Sequence, residues 1–345
     1  MKNCHSRISF VRVYRSMSSM RTKDGGNPYI GSSILAPMAG ITGYPFRKMA
    51  LKYGAEFCFT EMISADGFLH NDRGTLELLK TGNDIDKTGI QLFGSNPVIL
   101  AQAAKKAADN GFKVIDVNMG CPVKKVVKTG AGSAILKDVK LFSLIVKAVR
   151  QAVKDSIFTI KIRSGFDENS VNFLEIGKTA ELYGVDAVFF HPRTRPLMFG
   201  GAADHSLTKK LKEEIAIPVY ASGDIFTVND ALRIQDFTSA DGIMFARGAI
   251  GKPWIFAEYL NAGTLPEKIY LIDIKLKTDI IIELMEEMNL FYGKERGHKL
   301  IRPHLYSFLR GFKGSKGLRS GVNNAQNEKE LVSILKTITD ESDFA

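Results

Sequence analysis

The chain has 345 residues, of which 45% are hydrophobic and 24% charged. That is enough for a large core, and it excludes a disordered tail or a disulfide-stapled mini-protein. Lys and Arg number 47 against 37 Asp and Glu, and the net charge of +10 favours an anionic partner: a phosphorylated ligand, a nucleic acid or a membrane surface.

Residues 1–30 read as a basic tail. Lys2, Arg7, Arg12, Arg15, Arg21 and Lys23 precede the first acid, Asp24, with several serines between them. An Arg-rich, Ser-rich, acid-poor start fits an organellar transit segment or a disordered basic tail, and it lacks the apolar core of an export signal. Cys4, Cys58 and Cys121 stand at unrelated spacings, which gives no disulfide framework and no metal pattern. A reducing compartment follows, the cytoplasm unless the tail directs the chain to an organelle. No run of about 20 apolar residues occurs, so no membrane span is expected.

From residue 34 short apolar runs alternate with helix-patterned stretches. The runs are 34–38, 57–62, 89–93, 114–118, 158–162, 187–191, 219–222 and 242–246. Between them, 98–110, 141–154, 173–183 and 228–237 carry apolar residues at spacings of three and four. Nearly all-apolar strands, each followed by a helix, predict a parallel sheet buried on both faces. Eight such units predict a TIM (β/α)8 barrel over residues 31–261. The strand rhythm then stops, and 262–345 reads as a smaller all-helical domain. Its expected helices are 269–292, 299–312 and 328–337, with a glycine-rich joint at 311–317.

Polar and glycine residues cluster after the strands, at the rim where barrels build their sites. Gln91 is a polar group that alternation points inward, and its amide suits a ring imide. Asn118-Met119-Gly120-Cys121-Pro122 ends the fourth run. A cysteine fixed there between Gly and Pro suits acid, base or nucleophilic work, or is a buried small hydrophobe. Cys58, inside an apolar run, reads as core. Lys161 and Arg163 are two apart on a strand and face the same way. Two inward cations need an anion or an electron-rich ring. His191, at the end of the sixth run, can donate to a bound group or be bonded within the rim. Gly223-Asp224 and Ala246-Arg247-Gly248 follow the seventh and eighth runs, where barrels commonly hold a phosphate. Finally, residues 296–327 hold Arg296, Lys299, Arg302, Arg310, Lys313, Lys316 and Arg319 with no acid, interleaved with Tyr306, Phe308 and Phe312. Such a stretch can track a phosphate backbone, with Arg302 and Arg310 as contacts, or be a solvated face.

Several of these motifs fall in the order of one family. They are Leu35-Ala36-Pro37-Met38-Ala39-Gly40, Thr60-Glu61-Met62, Gln91-Leu92-Phe93-Gly94, Asn118 to Pro122 and Lys161-Ile162-Arg163, then His191 to Arg195, Ser222-Gly223-Asp224-Ile225 and Ala246-Arg247-Gly248. The set resembles the tRNA-dihydrouridine synthases, closest to the bacterial B type, from about residue 33 to 320. The resemblance implies an FMN barrel and a helical tRNA-binding domain, with NADPH (or NADH) reducing the flavin. Hydride then passes to carbon 6 of a D-loop uracil while a cysteine protonates carbon 5. Carried over by motif, Cys121 is that acid. Pro37, Met38, Ala39, Gln91, Lys161, His191, Ser222, Gly223, Asp224, Ala246 and Arg247 fall at flavin positions, and Asn118 and Arg163 beside the uracil. No metal and no membrane partner are implied, and a monomer is expected. Pro192 stands where the family usually has glycine. Ile301-Arg302-Pro303-His304 and Ser307-Phe308 replace its usual Met-Arg-Lys-His and Trp-Tyr. Two alternatives share the barrel: an FMN reductase of a free pyrimidine or other small enone, and an RNA-binding barrel without catalysis. One tension stands. Lys124, Lys125 and Lys128 beside Cys121 should lower its thiol pKa, whereas an acid must be protonated, as a desolvated site would keep it.

Overall fold

The computed structural model describes residues 29–82, 84–262 and 273–338. The basic tail to residue 28, including Cys4, lies outside them, as does most of the segment joining the barrel to the last helices.

Eight parallel strands close into a barrel in sequence order: β1 (Ser33–Leu35), β2 (Phe57–Ser64), β3 (Thr88–Phe93), β4 (Val114–Met119), β5 (Ile157–Gly165), β6 (Ala187–Thr194), β7 (Val219–Ser222) and β8 (Gly242–Phe245). β1 is shorter than its apolar run, because Pro37 has no N–H for the ladder, and the chain turns there into the rim. The helices that follow the strands include α1 (Tyr44–Lys52), α2 (Pro97–Asp109), α3 (Val139–Ala152), α4 (Phe173–Leu182), α5 (His205–Glu214), α6 (Val228–Thr238) and α7 (Ile255–Ala262). Asn96 and Asp138 cap α2 and α3 with side-chain oxygens, and Thr227 and Asp230 close a capping box on α6.

The barrel interior is filled below the rim. Phe59 meets Phe189 edge-on at 5.1 Å, and Phe189 stacks on Tyr220 at 4.9 Å. Ile34, Phe57 and Met244 complete this layer. The barrel is thus a packed plug with one open end, and a ligand can enter only at the strand C-termini.

The remaining helices are α8 (Ile274–Tyr292), α9 (Lys294–Leu300), α10 (Arg302–Phe308), α11 (Ser315–Asn324) and α12 (Glu328–Lys336). Two expectations are corrected here. The stretch 299–312 is two helices rather than one, since Pro303 in the first turn of α10 suits a helix start and not an interior. The joint at 311–317 is also shorter than expected. Gly311 and Gly314 adopt positive φ (94° and 75°), and α11 begins at Ser315. These helices share one apolar cluster with the β7–β8–β1 side of the barrel. Phe46 of α1, Trp254, Met285, Leu305 and Phe308 all belong to it. His304 is wholly buried at this seam. Its ring meets Phe46 at 4.5 Å, and its Nδ1 accepts the Gly251 N–H at 3.2 Å. Among the described residues, no helix is long and apolar enough to cross a membrane, and no group of side chains could hold a metal ion.

Candidate active site

A cavity of about 390 Å³ opens at the rim, and every strand or the loop after it contributes to its wall. All the residues read as facing flavin or uracil line it: Pro37, Met38, Ala39, Gln91, Asn118, Cys121, Lys161, Arg163, His191, Ser222, Gly223, Asp224, Ala246 and Arg247. Arg302 and Arg310 do not. Met62, which the resemblance included without a role, and Phe199 and Phe226, to which no motif pointed, also line it. The two phenylalanines sit on loops and are half-exposed, a pattern indistinguishable in sequence from an ordinary surface residue.

The cysteine loop is held from three sides. The Cys121 N–H donates to Asn118 Oδ1 at 2.8 Å, the Cys121 carbonyl accepts from Ser133 Oγ at 3.0 Å, and Arg163 Nε donates to the Gly120 carbonyl at 2.9 Å. Burial pushes the Cys121 thiol above its ordinary value, against a lowering by the Val123 N–H, Arg163 and Lys161. Lys124, Lys125 and Lys128 are exposed and leave no mark on it. Desolvation therefore outweighs charge, and the thiol stays protonated. Cys58 is core, as read.

The two strand-five cations differ. Arg163 is 2% exposed and also donates to the carbonyls of Thr194 and Met198, at 3.0 and 2.7 Å. Its charge is spent on loop carbonyls, so it needs no ligand anion. Lys161 has no hydrogen bond or ion pair among the described residues. Burial and the Arg163 charge lower its pKa to about 8. It is the cation that still requires an electron-rich neighbour.

His191 is neutral. Its Nε2 accepts from Arg193 at 3.1 Å, so Nδ1 carries the ring proton. Burial, with Lys161 and the arginines, holds its pKa well below the usual imidazole value. Arg193, which the sequence reading left without a role, is fully buried and clamps the carbonyls of Gly200 and Gly201. It also meets Asp224, whose other oxygen accepts from Arg247 at 3.3 Å. Burial raises the Asp224 carboxyl, but these donors and the Ala203 N–H outweigh it and hold the pKa below the usual range. Arg247 lies between the rings of Phe199 (5.2 Å) and Phe226 (5.1 Å). Gln91 is less free than expected. Its carbonyl oxygen accepts from Asn118 Nδ2 at 2.8 Å, and one of its two amide hydrogens is also engaged.

The cavity suits a flat, electron-rich group with a negative tail. Lys161 is an unpaired, half-buried cation, Arg247 is partly exposed, and Gly223 sits at φ +108°, where a Cβ would lie 2.6 Å from the His191 ring. The backbone there comes as close to the cavity as glycine alone allows.

The family profile described as "Dihydrouridine synthase (Dus)" matches residues 34–343. The chain belongs to the dihydrouridine synthase family. It is 37% identical over 298 residues to the tRNA-dihydrouridine synthase B of Pseudomonas aeruginosa, covering 85% of this chain and 88% of that one. It is 37% identical over 303 residues to the protein of the same name from Pasteurella multocida, covering 88% and 91%. Among solved structures, histamine dehydrogenase from Rhizobium sp. 4-9 superposes with a TM-score of 0.52 at 15% identity, covering 79% of this chain and 51% of that one, which speaks to the fold alone.

The dihydrouridine synthase scaffold places the C-terminal cations differently from the sequence reading. Arg302 is half-buried; it donates to the Ala325 carbonyl at 3.3 Å and stands 3.2 Å from His298 Nε2. It ties α10 to the end of α11 and is not a free contact. Phe308 and Phe312 are 2% exposed and belong to the shared core, so they form no stacking platform. Arg296 pairs with Glu77 and Lys299 with Glu295. Arg310, Lys313 and Lys316 remain exposed. Arg310 lies close enough to Arg247 and Lys252 to lower both their pKa values, which puts it at the barrel rim.

Proposed function

We propose that this protein reduces uridines of tRNA to 5,6-dihydrouridine, with FMN in the rim cavity and NADPH as its reductant. When bound, FMN supplies the hydride for carbon 6 of the uracil. Cys121 gives the proton to carbon 5, and its thiolate recovers a proton from solvent. Lys161 would lie against the electron-rich ring, and its charge favours the reduced flavin. His191 Nδ1 and the remaining Gln91 amide hydrogen are donors toward the same ring. The loops at Gly223 and Ala246-Arg247 would take the phosphate. A uracil must leave its stack to reach a rim this deep, so the substrate is a nucleotide splayed from the folded RNA. Arg310, Lys313 and Lys316 would meet the phosphate backbone beside the cavity. They favour an RNA over a free pyrimidine, which needs no cations outside the cavity.

The observation that carries this reading is Cys121: a thiol kept protonated by burial on the wall of the cavity that holds an unpaired Lys161 and a neutral His191. The experiment is to delete the gene and measure tRNA dihydrouridine by mass spectrometry, with complementation by the wild type and by Cys121→Ala. Loss of the modification, restored only by the wild type, is expected. Unchanged dihydrouridine in the deletion rejects the reading. A purified protein that is colourless and takes up no FMN rejects the cofactor.

A further inference from the structure

Asp116 had no part in the sequence reading. It lies in β4 two residues before Asn118, so both point into the barrel. The ladders place Gln91 of β3 beside Asp116, and Asp116 beside Thr159 of β5. Asp116 is 1% exposed, and both its oxygens are occupied. Oδ1 accepts from Thr159 Oγ1 at 2.7 Å and Oδ2 from Gln91 Nε2 at 2.7 Å. Gln91 Oε1 then accepts from Asn118 Nδ2 at 2.8 Å. Asn118 Oδ1 accepts the N–H groups of Cys121 and Gly120, at 2.8 and 3.2 Å. An unbroken line of bonds runs from the carboxylate to the loop that carries the cysteine.

The direction of that line has one source. A primary amide can face either way, but an ionised carboxylate only accepts. Asp116 therefore requires Nε2 of Gln91, which turns Oε1 to Asn118. That in turn claims Nδ2 of Asn118 and leaves Oδ1 for the Cys121 N–H. With the polarity reversed, Asn118 would present a donor to a donor. The layer beneath is aromatic, so packing alone does not ask for a charge at this depth.

We propose that Asp116 is a positioning residue: through the amides of Gln91 and Asn118 it fixes the backbone turn that holds Cys121. The inference rests on reading Cys121 as the proton donor. When the turn is released, the Cys121 thiol loses its placement against the Val123 N–H, the strongest influence favouring its thiolate.

The test compares Asp116→Ala, which leaves Gln91 without an acceptor, with Asp116→Asn. Asparagine can turn Nδ2 to Thr159, whose hydroxyl then accepts, and keep its oxygen on Gln91. Two readouts are taken on the FMN-loaded protein. One is the pH profile of Cys121 alkylation by iodoacetamide, followed on its own peptide by mass spectrometry. The other is the single-turnover oxidation of reduced protein by tRNA. Asp116→Ala is expected to move the alkylation midpoint up by about half a pH unit or more and to slow oxidation roughly tenfold to a hundredfold. Asp116→Asn is expected to keep both within about twofold of the wild type. A wild-type alkylation profile in Asp116→Ala overturns the proposal. So does an Asp116→Asn protein as impaired as Asp116→Ala. If Asp116→Ala fails to fold, Gln91→Met cuts the line in the middle at similar side-chain length. It must move the Cys121 profile the same way, and an unmoved profile overturns the proposal. A wild-type protein that tRNA does not oxidise defeats the function proposed above, while the alkylation readout still decides the role of Asp116.

Discussion

At the scale of single residues, burial decides the chemistry of Cys121. Its thiol lies above its ordinary value of 9.0, because the cost of a desolvated thiolate exceeds the attraction of Arg163 and Lys161. An acid is active in its protonated form. With Cys121 as the proton donor, the single-turnover oxidation of reduced protein by tRNA is therefore expected to stay level around neutral pH and to fall only in the alkaline range. A decline centred near pH 7 would mean a depressed thiol and a different donor. Cys121 and Lys161 were legible because a strand's period of two, read with a rim motif, places a side chain without further information. Arg163 was legible in position only. Its partners are the carbonyls of Gly120, just after β4, and of Thr194 and Met198, at and beyond the end of β6, and no local pattern announces such a convergence. Arg302 misled for the same reason, since its partner Ala325 lies in a later helix.

At the scale of elements, the barrel was legible because a strand buried on both faces writes itself as an apolar run. The last helices were less so. Glycines at 317 and 321 lower the helix propensity of α11, which is held instead by Val322 in the shared core. The seam between α10 and the barrel turns on His304. Burial lowers its pKa from 6.5 to about 3. A folded-state pKa below the unfolded one gives stability that is present above 6.5 and lost as pH falls toward 3. At pH 4 the loss is roughly 3 kcal/mol. Urea unfolding at pH 7 and pH 4 is expected to show that much more loss in the wild type than in His304→Asn, which keeps an acceptor for Gly251 and cannot titrate. Asp116 and Glu258, pushed up to about 6 and about 7, act in the opposite sense in both proteins and cancel in the difference. Equal slopes would remove His304 from this role.

At the scale of the whole molecule, the net charge of +10 was a poor guide to where a polyanion binds. Six cations belong to the tail outside the described residues. Others form the seam itself: Lys48 pairs with Glu287 at 2.6 Å, Lys52 with Glu283, and Arg296 with Glu77. Arg310 remains exposed near Arg247, with Lys313 and Lys316 exposed just after it in sequence. Removing these three as alanines is expected to flatten the slope of log tRNA affinity against log salt by about 2, at roughly 0.7 to 0.9 per phosphate contact. Arg302→Ala is expected to leave the slope alone and lower the unfolding temperature instead. A slope unchanged in the triple variant would place the RNA elsewhere on the surface.

The core shared by the last helices and the barrel has a geometric consequence. Trp254 against Phe308 and Phe46 against His304 lock α10 onto the barrel through one continuous core, so Arg310, two residues past α10, is tied to the same core as the cavity. The protein cannot lengthen its reach to choose among nucleotides. On the proposed reading, the span from backbone contact to thiol is then set at folding, and which uridine is read becomes a question the RNA answers with its own shape.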